Sequence, residues 1–581
     1  MKKYSIIVIL AFVGILSSCN DDYLERLPET SPTKETFFTS AEALELYTNS
    51  FYGYLSKNEY ENDYQSDNMA EQSTPEAVKT GLYSMPVELG SGGWKWTQLR
   101  DINYFIENCK ASKGIAQEDK DKYLAVARFF RARFYFRKVK RFGDVPWYSK
   151  VLGSNDEELY KARDPRTMVM DSVLADLNFA VQHAEVTTSK NRVNKWTALA
   201  LKSRVCLYEG SWRKYHTEAG LADADKFLTE AANAAGEIIN SGLYSTYNTG
   251  SSKDYYNLFN AEKADSDEVI MAIDLAEGNI SNYNKSFTTT SVGRRGITKS
   301  LVHEYLMSNG NTFQSKYADV ETLPWYDEFT NRDPRLAQTS MPPNFHRIDE
   351  TAIVLPWFGQ NHTGYQVVKR VGPAIYDNGD PRDIIVFRLG EVLLNYAEAL
   401  AELGTITQAD LDKSINELRK RVRMPKLSLT PALDSYLDGQ YKSTSNPLIL
   451  EIRRERRVEL AIEGFRFDDL MRWKEGHLLR DNAEGIYVTL NTYTDRDQNG
   501  VFDLYIYDGN KPSDAGSYPK VDFFKLGDAM SLSNGANGRL LPYNKALPSF
   551  GDWEYLSPIP LEELTLNPKL KQNPEWEKIN P

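Results

Sequence analysis

The densest run of ionisable side chains is the segment in which Glu451, Glu455, Glu459 and Glu463 recur every four residues, interleaved with Arg453, Arg454, Arg456 and Arg457. Paired carboxylates are the machinery of glycoside hydrolysis, which needs two of them flanking a bond, ~5–5.5 or ~6.5–9.5 Å apart across a cleft. Four-residue spacing instead stacks them on one helix face among guanidinium groups, where ion pairing is the simpler chemistry. The basic stretch Arg128 to Arg141 reads the same way: in an acidic protein it pairs with acids elsewhere and makes no nucleic-acid stripe.

A second constellation is a candidate metal site. Asp495-Arg496-Asp497-Gln498-Asn499-Gly500-Val501-Phe502-Asp503 puts oxygen ligands at loop positions one, three and five, glycine at six, Val501 at seven, an apolar residue at eight and Asp503 at nine. That pattern suits Ca²⁺, which takes ~6–8 hard oxygen ligands, with glycine allowing the tight turn. The bidentate Glu expected at position twelve is missing, since Ile506 stands there; Asp508 or another segment would have to replace it. The competing reading is an Asx-rich hairpin turn between Tyr493 and Tyr505. Nothing else requires a cofactor. No P-loop, HExxH or G-x-S-x-G pattern occurs, and the six histidines are scattered.

The third kind of chemistry is stacking. Sugar C–H faces pack on aromatic rings while hydroxyls need fixed polar partners. Loop-borne candidates are Trp94 and Trp96 in GGWKW, Trp325-Tyr326, Trp357-Phe358 and Tyr283, with Asp67 and Arg370 as hydrogen-bonding partners. Trp96, at the start of a helix, fits a core role better; Trp94 and Trp325 fit either role.

These residues are positioned by a mostly helical chain. Apolar residues at helical spacing predict helices over Ala41–Leu55, Trp96–Cys109, Lys120–Phe142, Arg166–Ala184, Lys195–Gly210 and Asp223–Ser241. Glycine and proline in Phe142-Gly143-Asp144-Val145-Pro146 stop the longest of these. Small residues (Ala198, Ala200, Ala231, Ala234) at crossing positions suggest a tetratricopeptide-like stack, without an exact sequence period. Residues 245–380 are rich in Asn, Ser, Thr, Gly and rings, and read as long loops and short strands. Helical pattern returns over Asp383–Leu403, Gln408–Val422 and Leu448–Lys474, before a turn-rich tail from about residue 485. The expectation is a mainly α scaffold displaying an irregular binding surface. Its body spans residues 41–581, helical to about 245 and loop-rich beyond.

Composition narrows the partners. The 581 residues are 41% apolar and carry a net charge of -12, which argues against general nucleic-acid binding and against docking on anionic lipid through a basic face. Cys109 and Cys206 lie in helical segments as small hydrophobes. Cys19 differs. Lys2 and Lys3 precede the apolar run Ile6–Leu16, too short for a permanent span of ~20 residues. Leu16-Ser17-Ser18-Cys19 resembles a bacterial lipobox, and Asn20-Asp21-Asp22 resembles the surface-export signal of Bacteroidota lipoproteins. On that reading residues 1–18 are a signal peptide, Cys19 carries the lipid, and residues 19–40 are a tether anchored only through its acyl chains.

Four further segments resemble the SusD/RagB family: Arg128-Phe129-Phe130-Arg131-Ala132-Arg133 through Gly143-Asp144-Val145-Pro146; Asn416-Glu417-Leu418-Arg419-Lys420-Arg421; Ile452 to Trp473; and Tyr555-Leu556-Ser557-Pro558-Ile559-Pro560 followed by Asn567-Pro568 and Gln572-Asn573-Pro574. With the lipobox they span the chain. One departure is Glu575-Trp576, where relatives often carry Gly-Trp. The resemblance implies a non-enzymatic outer-membrane lipoprotein with four tetratricopeptide-like units, lying as a lid over a SusC-like TonB-dependent transporter and binding oligosaccharide or polysaccharide at the cell surface. It implies site residues on loops of the N-terminal third and the middle, and leaves the glycan unnamed. The competing expectations are a secreted carbohydrate-active enzyme and a helical scaffold that binds only protein. Peptide-derived cargo is a variant of the first reading.

Overall fold

Ser40 starts the folded body: its hydroxyl accepts the N–H of Ala43 at 3.3 Å and caps α1, Ala41–Asn49. The computed structural model describes residues 37–56, 63–70, 75–275, 296–359 and 361–579; the signal segment, Cys19, nearly all of the tether and Tyr283 lie outside them. A stack follows from α2 (Thr97–Ala111) through α3 (Gln117–Phe142), α4 (Arg166–His183), α5 (Lys195–Tyr215) and α6 (Ala224–Asn240), each helix packing on the next. Local chemistry sets the ends. Asn194 and Thr197 form a reciprocal capping box on α5, with Asn194 Oδ1 accepting from Thr197 N at 3.0 Å and Thr197 Oγ1 from Asn194 N at 2.8 Å. Gly143 ends α3 at φ +73°, a backbone state that glycine reaches without strain.

Gly210, expected to end a helix, lies inside α5. A Cβ there would stand 2.8 Å from Leu228 Cγ and 2.9 Å from Leu228 N, so the missing side chain lets α5 and α6 cross closely. Ala231, Ala234 and Ala235 are buried on α6. Mainly α architecture with small crossing residues is therefore as expected.

Three returning helices differ from expectation. Residues 383–403 begin as a strand, β2 (Ile384–Arg388), before α7 (Leu389–Glu402), because Ile384 and Ile385 pair with Ile273 and Ala272 of β1 (Val269–Ile273). Residues 408–422 split into a turn of helix, Gln408–Asp412, and α8, Ile415–Arg421. The long C-terminal run breaks into α9 (Pro447–Glu459) and α10 (Arg466–Arg472). Ile462 and Gly464 take φ +64° and +82° between them, and the Asp63 carboxylate accepts both N–H groups at 2.7 and 3.0 Å. The break is made by a residue about 400 positions away in the chain. The tail forms small sheets, including β3 (Tyr493–Thr494), β4 (Leu504–Tyr507) and β5 (Asp522–Lys525), in which β3 is antiparallel and β5 parallel to β4.

One large apolar core fills the helical stack, and a second unites Trp325, Phe358, Tyr365 and Ile506 in the loop-rich part. Between them lies a buried charge lattice. Glu459 takes Arg335 at 3.0 Å, Arg388 at 2.8 Å and Arg421 at 2.5 Å; Glu268 takes Arg388 at 2.8 Å and Arg421 at 3.0 Å; Glu463 takes Arg388 and Lys369, both at 2.7 Å. Burial alone would raise the pKa of Glu459, but Arg421, Arg388 and Arg335 outweigh it and hold the carboxyl below the usual range. The ion pairing expected of this segment is present, but nearly all of it runs between elements and not along α9.

Candidate functional site

A concavity bounded by described residues holds about 1490 Å³, above the ~300–1,000 Å³ of ordinary small-molecule pockets. One wall is α3. The concavity is also lined by the stretches around Asp63–Gln65 and Tyr83–Gln98, by α10, and by the C-terminal segment at Tyr555 and Trp576. The rings Tyr54, Tyr64 and Tyr83 line it, as do the amides Gln65 and Gln98. Tyr54 is oriented by its hydroxyl, which donates to Asp101 at 3.0 Å. Tyr83 stands edge-on to Trp553 and Trp576, with centroids 5.6 and 5.2 Å away. Rings fixed by neighbours and amides free to hydrogen-bond are what a sugar chain needs.

Of the residues expected from sequence, Trp94, Trp96 and Asp67 stand beside residues that line the cleft and are not themselves in its lining. Trp94 is 2% exposed, with its ring against Trp96 and Phe142 at 5.4 and 4.8 Å, so it is a core residue. Trp96 is half-buried among Trp94, Phe134 and Tyr148. Gly93, Lys95 and Gln98, beside these tryptophans, line the cleft in their place. Asp67 likewise turns inward: its carboxylate is gripped by Arg457 and Arg466 at 2.9 and 2.7 Å, and these outweigh burial to lower its pKa to about 2. Trp325 is 3% exposed and packs on Phe329, and Arg370 is buried with Nη2 donating to the Arg382 carbonyl at 2.9 Å. Trp94, Trp325, Asp67 and Arg370 are therefore corrected from ligand contacts to packing or internal polar contacts. Tyr326 is half-exposed.

Trp357 keeps its ring at the surface, 44% exposed, while its indole N–H donates to Asp522 at 3.1 Å. Asp522 starts β5, and the same carboxylate accepts the N–H of Phe358 at 3.0 Å. Beyond it, Tyr493, Tyr505, Tyr518 and Phe523 cluster on the β3–β4–β5 sheet, Tyr493 lying 4.6 Å from Tyr505 and 4.3 Å from Tyr518. Sequence reading missed this cluster; the alternation of rings around the acidic loop was its only signal.

The acidic loop sits on the same surface. Asp495, Asp497 and Asp503 bring carboxylate oxygens within 4.8 Å of one another, and burial with the neighbouring Asp495 raises the pKa of Asp497. Hard oxygen donors close together suit Ca²⁺. Asp503, however, also pairs with Arg496, whose guanidinium reaches the Pro356 carbonyl at 2.8 Å, and Asn499 donates to Asp497 at 2.8 Å. The loop thus brings together three of the five expected donors, the carboxylates of Asp495, Asp497 and Asp503, while Asn499 Oδ1 accepts the Val501 N–H at 2.8 Å in the manner of an Asx turn.

No carboxylate pair of α9 flanks a cleft: Glu455 and Glu459 are buried and bound by arginines. Among carboxylates lining the cleft, Asp63 has its pKa raised by burial, yet it accepts from Asn68, Ile462 and Gly464 and serves as the clamp between α9 and α10. Cys109 and Cys206 are both free and buried, as small core hydrophobes.

Two family models cover the chain. The model described as the SusD family matches residues 245–576, more than half of it, and one described as starch-binding associating with outer membrane matches residues 33–215. SusD-like protein P38 of Formosa agariphila is 26% identical over 81% of this chain and 92% of its own length. A SusD-like protein of Bacteroides ovatus is 23% identical over 81% of this chain and 82% of its own. Among solved structures, a SusD-like protein of Bacteroides fragilis superposes at TM-score 0.68 with 20% identity, covering 94% of this chain and 100% of that one. A SusD-like carbohydrate binding protein of the same species gives TM-score 0.68 over 92% of this chain. A tetratricopeptide-like helical stack, two family models that follow one another along the sequence, and full-length structural likeness converge: the chain belongs to the SusD/RagB family.

Proposed function

We propose that this protein captures an oligosaccharide or polysaccharide at the outer surface of the cell and passes it to a SusC-like TonB-dependent transporter, doing no chemistry on it. In this reading Cys19 carries the lipid that holds it to the outer membrane. The observation that carries the reading is the ring-lined cleft on a rigid helical frame: tyrosines fixed by neighbouring side chains, amides between them, and room for several sugar units. The name of a Bacteroides fragilis structural relative, a SusD-like carbohydrate binding protein, supports it. The exposed indole of Trp357 is a second platform for the same kind of ligand. Affinity electrophoresis through a panel of polysaccharides tests the assignment. One or more of them should retard the protein, and Tyr64→Ala with Tyr83→Ala should release it; retention untouched by that double variant would reject the cleft.

A further inference from the structure

α3 carries Phe134, Arg137, Lys138 and Arg141 at i, i+3, i+4 and i+7, a single helix face, and all four line the cleft. Lys138 is 7% exposed, and its ammonium is held by main-chain carbonyls: it donates to Lys95 O at 2.7 Å and to Gly93 O. Arg141 lies over the same turn. A Cβ on Gly93 would stand 2.9 Å from Arg141 Nη1, so the guanidinium lies close over this glycine, whose φ of +87° other residues adopt only with strain. The Lys95 side chain projects from that loop into solvent.

Ion pairing sets Lys138 and Arg141 apart from other cations of α3. Arg131 is paired with Asp176 at 2.6 Å, and Lys140 with Asp468. Among the described residues no carboxylate lies within 4.0 Å of Lys95, Lys138 or Arg141, whereas the protein as a whole is acidic at -12. Burial, then the charges of Arg137 and Arg141, push the Lys138 pKa down to about 7; Glu563, the one acid acting on it, is engaged with the Gly90 N–H at 2.8 Å. A buried ammonium that has two of its three N–H groups on carbonyls, beside the Arg141 guanidinium and the exposed Lys95, is a site that an anion would stabilise.

We infer that this end of the cleft binds the anionic substituent, carboxylate or sulfate, of an acidic oligosaccharide whose neutral rings lie along Tyr54, Tyr64 and Tyr83. The inference rests on the glycan-capture reading and narrows it to a substrate class. Nucleic acid and acidic polypeptide fit less well. Their charge at every unit is repelled by a protein of net charge -12, whereas a saccharide with sparse anions needs only one cationic pocket.

The purified chain is titrated calorimetrically with sialyllactose, a singly sulfated galacto-oligosaccharide, neutral cellotetraose and neutral maltoheptaose, with poly-glutamate and a DNA oligonucleotide as polyanion controls. At least one acidic saccharide should bind about tenfold or more tightly than the neutral ones, and Arg141→Gln should bring that ratio toward one. Lys95→Ala, at an exposed position, should lower the same ratio and covers the case in which Arg141→Gln fails to fold. Raising the salt should weaken the acidic ligands selectively. Equal binding of neutral and acidic saccharides, or an acidic preference unchanged in both variants, overturns the inference and leaves glycan capture standing. Binding of poly-glutamate or DNA in preference to every saccharide overturns the inference, and absence of binding to all saccharides overturns both readings.

Discussion

Replacing Glu459 by glutamine removes the charge at the centre of the lattice and keeps the shape. Its carboxylate accepts from Arg335, Arg388 and Arg421 while fully buried, at 0% side-chain exposure. Those arginines come from a loop, the end of β2 and α8, so one carboxylate ties α9 to three separate segments of the chain. Glutamine keeps one acceptor oxygen but turns an NH₂ toward guanidinium donors. Breaking a buried pair by removing one partner costs about 3–5 kcal/mol. At ~2.1 cal/mol/K per residue, about 500 folded residues give an unfolding entropy near 1 kcal/mol/K, so the melting temperature should fall by about 3–5 °C. The pH dependence carries the same signature. The Glu459 pKa is depressed in the folded state, so its contribution is present above the unfolded value of ~4.3 and is lost as pH falls toward the folded one. Scanning calorimetry between pH 7 and pH 3.5 should show the gap between wild type and Glu459→Gln closing as acid is added. A variant that melts with wild type at pH 7 would refute the reasoning, showing that desolvation cancels the lattice.

Trp94→Ala and Trp325→Ala each empty a core position, at a cost of about 3–5 kcal/mol, and should lower the melting temperature by several degrees; binding loss at unchanged stability would return them to the ligand surface. Trp357→Ala gives up one exposed ring and one hydrogen bond worth ~0.5–1.5 kcal/mol, so it should melt within about 2 °C of wild type while weakening glycan retention; full retention would remove Trp357 from the site. Calorimetric titration with Ca²⁺ should give a saturable heat that Asp497→Ala abolishes; no heat would leave residues 495–503 as an Asx turn held by Arg496. Cys19→Ser should move the protein from the membrane fraction to the soluble one; unchanged fractionation would refute lipid anchoring.

The helical scaffold was legible because its signals are local. The apolar period of α2 to α6, the Gly143–Pro146 stop and the small residues on α5 and α6 all act within a few turns. Signals that depend on distant partners were not. Leu448–Lys474 reads as one helix until Asp63 captures Ile462 and Gly464, and Ile384–Arg388 reads as a helix start until β1 pairs with it. The site shows the same division. Aromatic loops near residues 94 and 357 were recognisable, but which ring faces solvent is decided by its tertiary neighbours: Phe142 packs against Trp94, whereas Trp357 stays 44% exposed and is held at its indole N–H by Asp522. The acidic and basic runs told nothing of their partners, because Glu459 and Lys138 are completed by Arg335, Gly93 and Lys95 from far along the chain.

Capture without chemistry is tested most directly by following one sample in two ways: a binding isotherm for a retained oligosaccharide, and the reducing ends released from it over the following hours. A saturable isotherm with a constant number of reducing ends is the predicted result. Reducing ends that climb in proportion to protein concentration, or an isotherm that never rises for any glycan in the panel, would contradict it.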